Sequence, residues 1–278
     1  MKKYLSIVFT SFLIALPVSA FPRNDLKPGG IAVLTVAPSN TIKPSVIYQK
    51  KPVAVIKGNQ NWLAVVGIPL NAKIGQHNIT ITQASKNRKI KTFSIKDYPY
   101  RTQRLTIKNK NKVNPNKKST KRIEREFFLK KNLRKTFTNN SPHLNFIRPT
   151  TGRDSGRFGM RRILNKQKRN PHSGMDIAAP QGRSVKATEA GRIIFAGNLF
   201  FTGNVVYIDH GNGLLSLYAH LSKINVKQGQ QVNRGQTIGK VGKTGRVTGP
   251  HLHWSVYLNG NAIDPSLFLP KKSSNKKK

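Results

Sequence analysis

From residue 31 to residue 95 the chain is a succession of short apolar runs separated by Gly, Pro and Asn. Residues 31–37, 46–48, 53–57, 62–67, 78–83 and 90–95 have strand length. Asn78-Ile79-Thr80-Ile81-Thr82 alternates polar and apolar, as a half-buried strand does. Runs at this spacing predict a small immunoglobulin-like β-sandwich over residues 21–100. It carries no cluster of His or acidic residues, so it is expected to be an accessory domain, with Tyr48 and Trp62 serving its core rather than a sugar-binding face. Residues 120–136 then show helical spacing, with Ile123, Phe127 and Leu133 near one face. They end a basic linker, residues 101–142, whose Lys- and Asn-rich stretch at 108–118 reads as solvated and flexible. Strand patterns return in residues 143–270, among them 215–221 and the run through Trp254 to residue 258.

Both ends differ from this pattern. Met1-Lys2-Lys3 precedes an apolar run at residues 4–16, shorter than the roughly 20 residues that span a bilayer. Pro17-Val18-Ser19-Ala20 supplies the small residues of a cleavage site. Residues 1–20 are therefore expected to be a signal peptide, with export to the periplasm or cell envelope, or secretion beyond it. Residues 271–278 form a basic tail.

Charge narrows the surroundings. Lys and Arg number 50 against nine Asp and Glu, a net charge of +41. Such an imbalance suits a polyanionic neighbourhood: wall polymers, an anionic envelope surface or nucleic acid. Charge does not choose among these, and no motif points to specific nucleic-acid recognition. Cysteine is absent, which excludes disulfides, thiol nucleophiles, Cys-ligated zinc and a lipid anchor on an N-terminal Cys.

The candidate chemistry lies between residues 170 and 254, which hold five of the seven His. His172-Ser173-Gly174-Met175-Asp176 puts an imidazole and a carboxylate four residues apart, with a glycine between them to let the chain bend. In Gly249-Pro250-His251-Leu252-His253-Trp254 the two His stand two apart on a predicted strand. They therefore share a face while Leu252 points away. In the same way Tyr218 and His220 are expected to share a face of their strand, and His210 to be structural at a strand end. Imidazole and carboxylate are zinc ligands, and a catalytic zinc keeps one position open for water. The His-Glu-x-x-His helix is missing, and the acids between residues 141 and 270 are only Asp154, Asp176, Glu189, Asp209 and Asp264. His220 and His251 are the natural candidates for proton transfer and transition-state stabilisation.

These motifs, with Tyr218-Ala219-His220-Leu221, Thr248-Gly249-Pro250-His251-Leu252-His253 and the glycine-punctuated residues 226–239, resemble the lysostaphin-type, or LytM-domain, zinc endopeptidases. Those enzymes cut peptide cross-links in peptidoglycan. The resemblance covers about residues 148–269, and all five family positions hold the expected residue type. It implies one zinc held by His172, Asp176 and His253, with His220 and His251 as the catalytic pair and peptidoglycan peptide stems as substrate. It also implies an antiparallel β-sheet groove with the zinc on its floor. The expected fold is thus mainly β: a sandwich, a basic linker with a short helix, and a LytM-type groove with lipoyl-like barrel elements. A lipoyl-type carrier is discounted, because no hairpin presenting a modifiable Lys is evident at residues 229–242. The alternative function is a non-catalytic LytM-like protein that binds wall or regulates another wall hydrolase. A third is a polyanion binder whose attachment is steeply salt-dependent.

Overall fold

The computed structural model describes residues 22–84 and 87–270. The predicted signal peptide and basic tail lie outside the described residues. Among those described, no helix is long and apolar enough to cross a membrane.

The N-terminal unit is built from β1 (Ile31–Pro38), β2 (Ser45–Tyr48), β3 (Lys51–Pro52), β4 (Ala54–Lys57), β5 (Asn61–Gly67), β6 (Gly75–Thr82) and β7 (Arg88–Ile95). They form two sheets, ordered β1-β5-β4 and β3-β2-β6-β7. Ala32, Val55, Ala64 and Val66 meet Val46, Tyr48, Ile79, Ile81 and Phe93 between them, and Trp62 packs at the edge of this core. The first sheet is apolar on its other face as well. Ile31, Ala54 and Val65 belong to the core of the C-terminal unit, with Val33 and Ile56 packed against it. That is why β1, β4 and β5 read as nearly unbroken apolar runs, whereas β6 and β7 alternate: a sheet covered on both faces has no polar side to show. The seam is close. Asn259 Oδ1 accepts from the backbone N of Gly67 at 2.7 Å, and a Cβ at Gly67 would lie 2.6 Å from Leu258 Cβ.

The linker also belongs to the packed structure. β8 (Thr102–Leu105) is followed by a 3₁₀ turn (Lys110–Lys112) and α1 (Lys117–Leu133), which begins on an Asn116 cap. At the stretch expected to be solvated and flexible, 108–118, Val113 is buried with Ile107 and Leu164, and Asn165 bonds both the N and the O of Ile107. Two apolar residues in a polar stretch suffice when a hairpin turns to cover them. The face of α1 differs too. Phe127 and Phe128 are exposed, while Leu129 and Leu133 dock on the C-terminal unit and Glu126 is buried. Glu126 accepts from the backbone N of Phe200 at 2.8 Å and pairs with Arg122 at 2.6 Å. A satisfied carboxylate took the place that hydrophobicity alone assigns to a phenylalanine.

The C-terminal unit continues with β9 (Arg153–Gly156), β10 (Arg161–Leu164), β11 (Gln167–Arg169), β12 (Met175–Ala178), β13 (Ser184–Lys186), β14 (Gly191–Leu199) and β15 (Gly203–Gly211). It ends with β16 (Leu214–Leu221), β17 (Lys223–Ile224), β18 (Gln231–Val232), β19 (Thr237–Lys240), β20 (His251–Leu258) and β21 (Asn261–Ile263). The main sheet runs β18-β14-β15-β16-β20-β12-β9, antiparallel at each junction, with β21 added to β20. Its two faces carry separate cores, one containing Ile177, Tyr218, Leu252 and Trp254, the other Tyr207, Leu217, Ala219 and Tyr257. The sheet stays open, and a small three-stranded sheet, β13-β19-β17, stands beside it as the lipoyl-like element. The β10–β11 hairpin stands off the main sheet and takes β8 as a parallel third strand. It walls one side of the central strands β16, β20 and β12.

Candidate active site

Asp176 on β12 is the cross-strand partner of His253 on β20, and Ala219 on β16 is the partner of His253 on the other side. This register puts the carboxylate and the imidazole on one face. His172 arrives from the loop before β12, pinned by backbone bonds to Met160 and Gly159. Asp176 Oδ1 lies 2.8 Å from His253 Nδ1 and 2.9 Å from His172 Nε2, and the two ring nitrogens are 2.9 Å apart. All three residues are buried. Gly174 allows this approach by lacking a side chain, not by bending the chain: a Cβ there would meet Trp254 O at 2.4 Å.

His251 shares its face with His253, and Leu252 is fully buried on the other. His220 is brought to the same place by a different device. Tyr218 and Leu221 both lie in the core of the opposite face, although they are three residues apart. One residue is therefore extra to the strand alternation, and the register of β15 with β16 shifts there. His220 takes the break with φ +66°, a conformation that costs a non-glycine residue energy and is often found at functional sites. Its ring sits 4.8 Å from that of His251 and 6.0 Å from that of His253. The expectation that His220 and Tyr218 share a face is corrected. Tyr218 points the other way, to Thr188 and Ser216.

The outer nitrogens fix the ring orientations. His172 Nδ1 donates to Arg157 O, His220 Nδ1 to Thr244 O and His251 Nδ1 to Gly249 O, each at 2.8–2.9 Å. A carbonyl can only accept, so each of these Nδ1 atoms carries a proton, and each Nε2 is turned inward. His253 reverses the arrangement, with Nε2 2.9 Å from Ser255 Oγ and Nδ1 toward Asp176. Arg162 Nη2 holds the second carboxylate oxygen of Asp176 at 2.9 Å, which leaves Oδ1 toward the His pair. Burial alone would raise the Asp176 pKa, but His172 and His253 outweigh it and hold the carboxyl well below its usual range. Burial pushes His253 down to about 4 against the pull of Asp176, and pushes His220 well below 6.5 with help from His251 and His253. At neutral pH both rings are neutral, the form a ligand or a base needs.

Three lone-pair atoms pressed together in a buried spot repel one another unless a cation or protons lie between them. Two imidazole nitrogens and one carboxylate oxygen match the donor set of a catalytic zinc, and each donor has the outer partner such ligands use. Arg162 and Ser255 were not picked out from the sequence. Ser255 was legible, since it stands two residues beyond His253 on the same strand; Arg162 had no local signal.

His210 stands apart from the cluster, bonded to Ala190 O and Ser216 Oγ and buried, with its pKa lowered to about 4 by burial. Unfolding returns it to about 6.5, so between those values the unfolded chain binds the extra proton. The stability contribution is fully present above about 6.5 and is lost as pH falls toward 4, on the order of 3 kcal/mol. In metal-free protein, urea midpoints of wild type should fall more steeply over that window than those of His210→Gln. Parallel curves would remove this residue from the account.

Residues 170–265 match Peptidase family M23, and residues 24–97 match the Peptidase family M23 N-terminal domain. Over 128 residues the chain is 44% identical to the peptidoglycan DD-endopeptidase ShyA of Vibrio cholerae, covering 45% of this chain and 30% of that protein. It is 50% identical over 100 residues to the DD-carboxypeptidase/endopeptidase Mpg of Neisseria meningitidis, covering 36% of this chain and 23% of that one. These matches thus span less than a third of the curated relatives' own lengths. A crystal structure of a protein classed as peptidase M23 from Pseudomonas aeruginosa is similar along nearly all of both chains. It is 38% identical, with a TM-score of 0.75, over 89% of this chain and 96% of that one. With both units matched in sequence and their joint architecture shared, the chain belongs to peptidase family M23.

Proposed function

We propose that the protein is a zinc-dependent endopeptidase that hydrolyses peptide cross-links of peptidoglycan. The observation that carries this reading is the buried triangle of His172 Nε2, Asp176 Oδ1 and His253 Nδ1, with the His220 and His251 rings beside it. The name of the Vibrio cholerae relative points to the same substrate. His172, Asp176 and His253 would hold one ion per chain. When bound, zinc supplies Lewis acidity, activating water at neutral pH and polarising an amide carbonyl. His220 and His251, each held through Nδ1, would take the proton of the attacking water on Nε2 and return it to the departing amine. Arg162 and the carbonyls of Arg157, Thr244 and Gly249 keep these rings and the carboxylate in register. None of the five positions is substituted, so nothing in the site favours the non-catalytic alternative.

The divisions at residues 20, 100, 142 and 270 are proposed as functional boundaries, with residues 1–20 as an export signal to the periplasm or envelope. The charge of +41 suits an anionic envelope surface.

Purified peptidoglycan should lose its cross-linked dimers to monomers under the protein, with one new amine and one new carboxylate per cut. A chelator should stop the reaction and zinc restore it. A zinc-loaded protein that leaves the dimers intact in mass spectra would sink the reading.

A further inference from the structure

A cavity of about 160 Å³ opens beside His220 and His251, between the β8–β10 wall and the loop of residues 246–248. It is far smaller than the roughly 300 Å³ or more of a site for a whole drug-sized ligand, and suits one short residue. Its polar groups are unbalanced. Two guanidinium groups, Arg162 and Arg246, face one carboxylate, Asp176, which is already shared with His172 and His253.

Arg246 is anchored but unpaired. Its backbone N bonds Phe201 O at 2.8 Å and its guanidinium lies over the Phe201 ring, 4.4 Å from the centroid. Among the described residues that guanidinium has no hydrogen-bond or ion-pair partner. Burial and then the neighbouring Arg162 and Arg169 lower its pKa to about 10, so it stays charged at neutral pH. Arg162 gives Nη2 to Asp176, while its buried Nε has no partner. Gln103, opposite Arg162 in the β8–β10 register, likewise has a buried Oε1 without one. Unmet buried donors and acceptors are costly and rare.

We propose that this cavity is a subsite for a free carboxylate on the substrate residue next to the scissile amide, with Arg246 as the specificity-determining residue. The carboxylate accepts from the Arg246 guanidinium, beside the charge of Arg162. Planar guanidinium groups suit a carboxylate better than any other donor. The inference rests on the endopeptidase reading for what the peptide is, but the binding it asserts does not require turnover.

The test uses the full chain and fluorescein-labelled peptides in matched pairs. One pair differs by a C-terminal carboxylate against its carboxamide, the other by an acidic side chain against its amide. Polarisation titrations of metal-free protein are followed by cleavage assays of zinc-loaded protein. Wild type should bind one carboxylate form about tenfold to a hundredfold more tightly than its amide, and the pair that responds identifies the carboxylate being read. Arg246→Gln should bring that ratio close to one, and Arg246→Lys should restore part of it while near-UV circular dichroism stays native. Equal binding of acid and amide by wild type in both pairs, or an undiminished ratio in Arg246→Gln, overturns the subsite. Preserved binding preference with no cleavage of any peptide instead counts against the endopeptidase reading and leaves the subsite standing.

Discussion

His253→Ala should yield a folded protein that neither retains zinc nor cuts peptidoglycan. His253 is the hub of the triangle, 2.8 Å from Asp176 and 2.9 Å from His172, and its outer nitrogen is held by Ser255. Its loss leaves one imidazole and one carboxylate, too few for a site that needs three protein ligands. Without the ion the uncatalysed barrier to amide hydrolysis returns, so cleavage should fall by roughly a thousandfold or more. Folding should survive, because Asp176 keeps Arg162 and His172 as partners. Equilibrium dialysis with zinc and a cleavage assay on the same preparation decide the matter. A variant that still binds one equivalent of zinc would show that the ligands lie elsewhere.

His220→Ala should separate metal binding from turnover. Its Nδ1 is fixed on Thr244 O and its Nε2 faces the site, so the ring is poised for protons and is no part of the triangle. Zinc content should match wild type, while kcat falls by about a hundredfold to ten-thousandfold, the usual worth of a positioned acid or base. His251→Ala should behave in the same way. Because burial holds the His220 pKa well below 6.5, the ring stays neutral through neutral pH. Activity that needs the neutral ring is therefore present above the lowered pKa and lost as pH falls through it, so the acid limb of the wild-type profile should lie below the ordinary histidine value. His220→Gly adds a structural control. It keeps the left-handed φ without a Cβ, and should be more stable than His220→Ala by about 1 kcal/mol. Full turnover in either alanine variant, or loss of zinc from both, would end the assignment of the pair.

The alternating patterns that a strand imposes were readable from the chain alone. His251 and His253 share a face because two residues is the strand period, and the six N-terminal runs became strands within a few residues of their expected ends. The motifs that resemble the LytM-domain enzymes were likewise complete in the sequence. His220 was misread for a physical reason: the chain takes a left-handed step there, and nothing in Tyr218-Ala219-His220-Leu221 announces it. Of the α1 face, Leu133 docks as its spacing suggests, but Phe127 is exposed because Glu126, bonded to Phe200 N and Arg122, is buried in its place.

The sequence by itself thus determined the elements, the donor types and the spacing that puts pairs of donors on common faces, since those follow from local periodicity. Only the tertiary structure decided that β12 and β20 lie side by side, that Arg162 and Arg246 reach the site, and that β1-β5-β4 is covered on both faces. Those facts depend on contacts between residues as far apart as Gly67 and Asn259, 192 positions along the chain. No local pattern encodes such pairings; they are set by which buried surfaces and hydrogen-bonding groups can satisfy one another at once.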